Sequence, residues 1–274
     1  MVATRSSATT DSSVDIGDAA IGRGSSQECM KAFTALQHVL SALFIFVMAT
    51  FWALPIVPAL WVFHEVNAFG ADATEWMGYL FTSIAAALAF IAWGLCLLLL
   101  SGTVQMIIHP RVPAEGKVVP LFSGTTIRWA ACGVMHRATK PFLIHVCPSI
   151  FANTYYRLAG VKLGQDSNLT SQDINDPFLV RVGSDTVIGG HAAINGHIVE
   201  RGELHLAPVT IGDRCVVGGG SIMMPGSTLS DDCVLANRAV LPKHKTIPPG
   251  QVWAGVPAKF VKHIRGYGDD GQES

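Results

Sequence analysis

The stretch IGDRCVVGGGSIMMPGSTLSDDCVLANRAV, residues 211–240, repeats a pattern every six residues. Each six begins with a large apolar residue, and its second and fifth places hold mostly small residues. The pattern continues to residue 258 and also occupies residues 182–199. This period is typical of hexapeptide repeats and predicts a left-handed parallel β-helix. We expect three sixes to form one triangular coil, with first-place side chains stacked inside and corners that favour Gly or Asn for their backbone angles.

The repeat is interrupted once. From Ile194 to Ile211 there are 17 positions, which is not a multiple of six. A solenoid tolerates an insertion at a corner, because the coils above and below keep their contacts. We therefore predict that residues 197–208 leave the coil as a protruding loop, and loops of this kind often carry function.

Two apolar stretches precede the repeat, at residues 39–63 and 76–108. Each exceeds the roughly 20 apolar residues needed to span a bilayer, so we predict two transmembrane α-helices. The loop at 64–75 has no Lys or Arg, whereas the flanking segments carry Arg5, Arg23, Lys31, Arg111, Lys117, Arg128, Arg137 and Lys140. The positive-inside rule therefore predicts a two-span membrane protein with its β-helix domain on the cytoplasmic side.

We predict a mainly β fold, in which two transmembrane helices and short interfacial helices precede the β-helix. Apolar residues at helical spacing among scattered cations predict helices between the spans and the repeat. These helices lie against the cytoplasmic leaflet, pack on the next domain, or do both. The predicted segments are a disordered tail at 1–30, a transmembrane hairpin at 31–108, interfacial or linker helices at 109–162, the β-helix at 163–264 and a C-terminal tail at 265–274.

The overall charge and the cysteines exclude several classes of protein. The formal net charge is −1, which gives no argument for a nucleic-acid partner. The six cysteines are scattered singly without a CxxC pair, which argues against a zinc site and against a disulfide scaffold. We interpret them as reduced thiols packed as small apolar residues.

Two sets of motifs resemble known families. PVTIGDRCVVGGGSIMMPGSTLSDDCVLANRAV (208–240) and IPPGQVWAGVPAKFVKHI (247–264) resemble the C-terminal half of hexapeptide-repeat acyltransferases, which include the galactoside, maltose and serine acetyltransferases. PLFSGTTIRW (120–129) and NTYYRLAGVKLGQDSNLTSQDINDPFLVRVGSDTVIGG (153–190) look like the membrane-embedded terminal region of polylysine-synthetase-type nonribosomal peptide synthetases. The GNPAK-like motif departs from the family pattern at Val256, where Asn is usual.

The resemblance implies a homotrimer in which each active site forms between neighbouring β-helices. It also implies a thioester donor along the outer wall of the prism, either acyl-CoA, with acetyl-CoA the expected form, or the phosphopantetheine thioester of a carrier protein. The acceptor would be a small molecule or a peptide with an amine or hydroxyl, and no metal is expected. The two apolar spans make the lipid bilayer a further partner.

Acyl transfer needs a base to take the proton of the attacking group. His197 has a side-chain pKa near neutrality and lies where the resemblance places the family's catalytic histidine. Glu200 or Glu203 would orient its imidazole, as a carboxylate does in a catalytic triad. We expect acceptor contacts from Asn195, Asn175, Asp176 and His205, with Asp173 a further candidate, whereas His191 is expected to be structural.

The donor would meet the last coils. The backbone amides of Gly218, Gly219 and Ala236 are candidates for the pantetheine arm. Lys243 and Lys259, together with Lys245 and Lys262, could meet the phosphates of the coenzyme by charge. Alternatively, these lysines form a solvated basic face at the end of the solenoid. Residues 257–264 are expected to cap the exposed strand edges of the last coil.

Several functional alternatives remain open at this stage. The chain could form peptide bonds from an aminoacyl thioester, as in the polylysine-synthetase group, or it could be a non-catalytic trimeric membrane scaffold. A zinc site of His191, His197 and His205 would suggest the γ-class carbonic anhydrases. The spacing between His197 and His205 does not match that class, so we do not expect this site.

Overall fold

The computed structural model describes residues 15–264, with side chains from residue 38 onward except 40 and 41. Among these residues are four α-helices, all of which precede the repeat: α1 Asp15–Ala68, α2 Glu75–Ile108, α3 Gly124–Val146 and α4 Ile150–Leu158. A short 3₁₀ turn covers Pro177–Leu179.

The strands are mostly two or three residues long, as expected where a corner follows every few residues. They are β1 Lys117–Pro120, β2 Lys162–Leu163, β3 Asn168–Leu169, β4 Val180–Val182, β5 Val187–Ile188, β6 Ala193–Ile194, β7 His197–Glu200, β8 Glu203–Leu206, β9 Val209–Ile211, β10 Val216–Val217, β11 Ile222–Met223, β12 Thr228–Leu229, β13 Val234–Leu235, β14 Val240–Leu241, β15 Thr246–Ile247, β16 Gln251–Ala254 and β17 Lys259–His263.

Three parallel ladders form the faces of a triangular prism. Their strand orders are β2-β4-β9-β12-β15, β3-β5-β10-β13-β16 and β6-β11-β14. Each strand lies beside its equivalent in the next coil, and from residue 209 onward that equivalent is eighteen residues on, as when Leu229 pairs with Ile247. The first-place residues fill the interior, and all but the partly exposed Trp253 are buried: Val182, Ile188, Ile194, Ile211, Val217, Met223, Leu229, Leu235, Leu241 and Ile247. The predicted β-helix is confirmed.

The small residues at the second place are explained by the close spacing of adjacent coils. A Cβ added to Gly218 would lie 2.5 Å from the backbone nitrogen of Asn237 on the adjacent coil. Close approach between coils therefore demands glycine at this place. The left-handed backbone angle occurs instead at the fourth place, which polar and charged residues often occupy: Asp185, His191, Arg214, Asp232, Arg238 and His244. Gly220, Gly226 and Gly250 have the same backbone angle at this place.

The interruption of the repeat is a β-hairpin. Strands β7 and β8 pair antiparallel from His197 with Leu206 to Glu200 with Glu203. Across the hairpin the coil resumes in phase, since Met223 pairs with Ile194 at a separation of twenty-nine residues. The eleven residues beyond one coil of eighteen are therefore accommodated outside the prism. Strand β1, from the segment before α3, adds antiparallel to β8 and makes a three-stranded sheet.

Two helical segments, Ala42–Ala68 and Glu75–Ile108, are long and apolar enough to cross a membrane by length and composition. The second half of α2 packs on α3 and α4 through buried residues: Gly94, Leu97, Leu98, Ser101, Gly102 and Gln105.

The predicted tails and linker are partly corrected. Residues 1–14 and 265–274 lie outside the described residues, but residues 15–30 belong to α1 instead of a disordered segment. Adding residues to an existing helix avoids the cost of a new nucleus, which composition alone does not reveal. The linker helix α3 has 23 residues, so it is not a short helix.

Helices α3 and α4 close the first coil of the prism. Leu143, Tyr155 and Tyr156 are fully buried in the same apolar cluster as Leu169 and Ile174 of that coil. The helices thus share one core with the β-helix, which fixes α3 beside the residues that follow Ile174. The alternative in which the linker helices pack on the next domain is the one observed.

Candidate active site

A carboxylate and an imidazole meet where the hairpin leaves the coil. Nδ1 of His197 lies 2.6 Å from Oδ2 of Asp176. Asp176 comes from the preceding coil, just before the 3₁₀ turn, and its side chain is only 3% exposed. The side chain of His197 is 30% exposed, so one partner is enclosed and the other reaches solvent. Because the carboxylate accepts the proton on Nδ1, Nε2 is the nitrogen left to accept a proton from a substrate.

The Asp176 carboxylate is held by three donors. Oδ2 accepts from the Gly196 backbone N–H at 2.9 Å as well as from His197. Oδ1 accepts the indole N–H of Trp129 at 2.8 Å. A buried charge that is satisfied on both oxygens keeps a fixed orientation.

The pKa of His197 reflects two opposed effects. Burial alone would lower this pKa, because it disfavours the charged imidazolium. The hydrogen bond and the negative charge of Asp176 outweigh burial, and the pKa lies above its ordinary value of 6.5. The pair therefore forms a base that gains protons more readily than an isolated buried histidine.

Two predicted acceptor residues flank this pair. Nδ2 of Asn175 donates to Oδ1 of Asn195 at 2.7 Å. Asn175 directly precedes Asp176, and Asn195 lies two residues before His197. The structure thus brings four of the predicted residues together: Asn175, Asp176, Asn195 and His197.

The predicted orienting carboxylate is corrected. Glu200 accepts two hydrogen bonds from Nζ of Lys243 at 2.7 Å, and this pairing lowers the pKa of Glu200. Glu203 lies at the hairpin turn opposite Glu200 and is 3.8 Å from His205. Neither is hydrogen-bonded to His197. Asp176, predicted to contact the acceptor, has the orienting position because the coil stacks it directly beside His197.

His205 is separated from the pair by strand geometry. In an antiparallel hairpin, directly opposed residues share a face and successive residues alternate. His197 is opposite Leu206, while His205 is opposite Ile198, so the two histidines project from opposite faces. His205 instead lines a cavity of about 170 Å³ with Lys117, Glu200 and Lys243. This cavity is small for a ligand site.

His191 occupies a corner, not the site. Its backbone φ is +58°, and its side chain is 73% exposed. Its Nδ1 lies 4.0 Å from Asp173, whose other oxygen accepts from Lys140 at 2.8 Å. Among residues 15–264, no cluster of three or more His, Cys, Asp or Glu side chains is arranged to hold a metal ion.

The backbone N–H groups proposed for the pantetheine arm are already used inside the prism. The N–H of Gly218 donates to Leu235 O, that of Gly219 to Oδ1 of Asn237 and that of Ala236 to Trp253 O. The parallel ladders use the N–H groups of Gly218 and Ala236, and an Asn side chain of the adjacent coil accepts from Gly219, which the sequence pattern does not reveal. These positions can still offer carbonyl oxygens, each of which has two lone pairs.

The predicted phosphate lysines differ in availability. Lys243 is engaged by Glu200. Lys245 lies 5.2 Å from the ring centroid of Trp253. Lys259 and Lys262 are exposed on β17, which pairs antiparallel with β16 at the end of the prism, where a capping segment was expected.

One residue of the site, Trp129, was not found from the sequence. Trp129 stands in α3, far along the chain, and its ring centroid lies 4.7 Å from that of His197. Only the three-dimensional packing of α3 on the first coil brings the two together. The clearest available signal was an aromatic residue among helical cations, which is equally typical of a membrane interface.

Comparison with known proteins identifies the repeat. Residues 208–241 match the family model described as the hexapeptide repeat of succinyl-transferase. Delta-poly-L-ornithine synthetase of Acinetobacter baumannii (strain AB307-0294) is 22% identical over 222 residues, covering 78% of this chain and 16% of the relative. Galactoside O-acetyltransferase of Escherichia coli (strain K12) is 32% identical over 104 residues, covering 35% of this chain and 49% of the relative.

Similar solved structures exist as well. One is a hexapeptide-repeat-containing acetyltransferase from Vibrio cholerae O1 biovar eltor, complexed with acetyl coenzyme A. It is 16% identical, with a TM-score of 0.43, and the match covers 53% of this chain and 93% of that chain. The chain spans less than two thirds of the length of either curated relative. The family match and these relatives confirm the predicted resemblance to hexapeptide-repeat acyltransferases.

Proposed function

We propose that this chain, which carries the hexapeptide repeats of the acyltransferase family, moves an acyl group from a thioester to an amine or hydroxyl. His197 is the general base, and Asp176 is the carboxylate that orients it. The observation that carries this proposal is the 2.6 Å contact between Nδ1 of His197 and the enclosed Asp176 carboxylate. It leaves Nε2, on a side chain that is 30% exposed, to accept a proton from the acceptor.

The proposed reaction is an acyl transfer through a tetrahedral intermediate. Nε2 of His197 takes the proton of the acceptor O–H or N–H while the acceptor oxygen or nitrogen bonds to the thioester carbonyl carbon. The tetrahedral intermediate collapses with cleavage of the carbon–sulfur bond. The imidazolium returns its proton to the departing sulfur, so the products are the acylated acceptor and a free thiol. Asp176 stabilises the imidazolium throughout and keeps its own proton count unchanged.

We assign acyl-CoA as the donor, lying along the outer wall of the prism between neighbouring copies in a trimer. Support for side-by-side packing comes from an outward-facing row of valines in register on one face: Val187, Val216, Val234 and Val252. Val187 and Val216 are exposed apolar residues on this row. Lys259 and Lys262 provide the cations for the coenzyme phosphates.

We further place the domain on the cytoplasmic side of a membrane held by two spans. The two long apolar helices support the spans, and the cation-free loop between them supports the orientation. The acceptor class is an amine or hydroxyl in a small molecule or a peptide.

A matched pair of substitutions tests the base. His197→Asn keeps a polar side chain beside Asp176 but removes the base, and His191→Asn makes the same change at an exposed corner. The full chain in detergent is assayed for thiol release from acetyl-CoA with a galactoside or L-ornithine as acceptor. We expect His197→Asn to lower kcat by about 10²–10⁴-fold and His191→Asn to leave it unchanged. Full turnover in the His197→Asn protein would refute His197 as the base, whereas a native chain without turnover would favour the non-catalytic scaffold.

A second candidate is peptide-bond formation from an aminoacyl thioester. The alignment with Delta-poly-L-ornithine synthetase runs over 222 residues, which is longer than the repeat domain and so includes preceding helical segments. A synthetic ornithyl thioester offered with L-ornithine distinguishes the two reactions. Mass spectrometry of an ornithine dimer would favour this candidate, whereas products formed solely from acetyl-CoA would favour the first.

A further inference from the structure

We infer that Trp129 is a positioning residue for the proposed reaction, acting through Asp176 to hold His197 in its working orientation. This inference rests on the proposed function of the Asp176–His197 pair. It adds a residue from the helix that precedes the β-helix, outside the repeat and the hairpin.

The first observation is the division of donors on the carboxylate. Oδ2 faces the coil, where Gly196 and His197 donate, whereas Oδ1 faces α3, where the Trp129 indole donates at 2.8 Å. With a partner on each oxygen, rotation of the carboxylate breaks a hydrogen bond inside an enclosed space. Without the indole N–H, Oδ1 would be a buried acceptor lacking this partner, which is costly for a charged group.

The second observation is the position of the ring. Its centroid is 4.7 Å from that of His197, and the ring planes are inclined by 60°. One side chain therefore both donates to the carboxylate and packs on the imidazole. A residue that served only to attach α3 to the prism would not need both contacts.

The charged surroundings leave Asp176 as the group through which Trp129 acts. On α3, Arg128 turns away and donates to the Ile108 carbonyl at 2.7 Å. Cys132, one turn further, has its pKa raised to about 12 by burial, with the nearby Asp176 charge adding to the rise, so it is a neutral thiol. On the hairpin, Glu200 is engaged by Lys243. Asp176 is the ionisable group that raises the pKa of His197.

The chain offers a matched control for removing an indole donor. Trp52 donates its indole N–H to the Ala138 carbonyl of the same helix at 2.9 Å. Trp52→Phe removes an indole N–H that donates to α3, and Trp129→Phe removes an indole N–H that α3 itself carries. Both substitutions keep an aromatic ring. Only Trp129→Phe changes the carboxylate.

The experiment uses the full chain in detergent and measures turnover of acetyl-CoA together with modification of His197 by diethyl pyrocarbonate across pH. We expect Trp129→Phe to lower kcat about tenfold with an unchanged KM for acetyl-CoA. The labelling midpoint of His197, which reports its neutral form, should move to lower pH because the carboxylate is held less firmly beside it. Trp52→Phe should change neither quantity.

A double-mutant cycle with Asp176→Asn tests the route. If Trp129 acts through the carboxylate, Trp129→Phe should have little further effect in the Asp176→Asn background. An unmoved labelling midpoint in Trp129→Phe, or the same loss with and without Asp176, overturns the inference. The two proposals fail separately, because a fully active His197→Asn protein refutes the base, whereas the labelling midpoint reports on Trp129 without requiring turnover.

Discussion

Replacement of Asp176 by Asn removes one charge and almost no volume from the centre of the site. The native carboxylate accepts from Trp129, Gly196 and His197 at 2.8, 2.9 and 2.6 Å. An Asn side chain has one carbonyl oxygen and one NH₂ group, so it cannot accept on both sides. Either the indole or the pair of donors on the coil side then faces another donor.

The size of the effect follows from the state of the imidazole. If the NH₂ group faces His197, Nδ1 must become the acceptor, and the proton then sits on Nε2, where it prevents base catalysis. General base catalysis contributes about 10²–10⁴-fold. We therefore expect kcat/KM to fall by about this factor, equivalent to about 3–5 kcal/mol of transition-state stabilisation.

The pH profile gives a second, directional result. A general base must be neutral, so kcat/KM rises with pH through the pKa of His197. In the native protein Asp176 holds this pKa above 6.5. In Asp176→Asn only the effect of burial is left, which lowers the pKa, so the acidic limb should move below the native position.

The assay is acetyl-CoA turnover against pH, with Asp232→Asn as the control. Asp232 makes a salt bridge to Arg214 at 2.6 Å on the outside of the prism. The control therefore loses an ionised carboxylate from a close ion pair without touching the site, and its profile should match the native one. A native-like acidic limb in Asp176→Asn, or equal losses in both variants, would contradict the orienting role of Asp176.

Three further predictions concern the hairpin and the prism. Glu200→Gln should lower kcat less than about threefold, because an exposed ion pair is weak and Glu200 does not contact the base; steady-state kinetics measure this. Leu229→Ala should lower the free energy of unfolding by about 2–5 kcal/mol, because this side chain is fully buried, whereas Thr228→Ala should have little effect in the same denaturant titration. Gly218→Ala should cost about 1–3 kcal/mol because of the neighbouring coil, while Gly133→Ala, with open space around it, should be neutral or stabilising in matched melting curves.

The fold could be predicted because the six-residue period of the β-helix is directly visible in the sequence. A large side chain every sixth residue, as at Met223, Leu229 and Leu235, permits one solution in which all of them are buried. The insertion was equally visible, because a separation that is not a multiple of six cannot remain in the coil. Its hairpin form was not, and neither was the third strand, β1, which comes from a distant segment.

The site was predictable in its members but not in its connections. Asp176 and His197 are both apparent in the sequence as polar residues near the break. Their contact, however, depends on how the first coils stack, because paired residues there are separated by more than eighteen positions. Glu200 is closer in sequence to His197 and was the natural partner on that ground. Lys243 claims Glu200 instead, because the hairpin folds back over a later coil.

The donor positions show the limit of a pattern that counts residues but not hydrogen bonds. Gly218 and Gly219 were recognised as places without side chains, which they are. Their N–H groups already donate hydrogen bonds to residues of the adjacent coil. A small residue in a solenoid therefore indicates room for a ligand without indicating a free donor.

Because Ile194 and Met223 pair directly across the insertion, the stacking of first-place side chains continues past the hairpin without interruption. The turn of the hairpin at Gly202, where no other atom lies close, could be lengthened or exchanged without moving these side chains. The rigid prism would go on supplying Asp176 and the first strand residue, His197, at a constant spacing. A change in this turn would therefore alter the surface beside the proposed site, while the Asp176–His197 pair and the architecture beneath it stay the same.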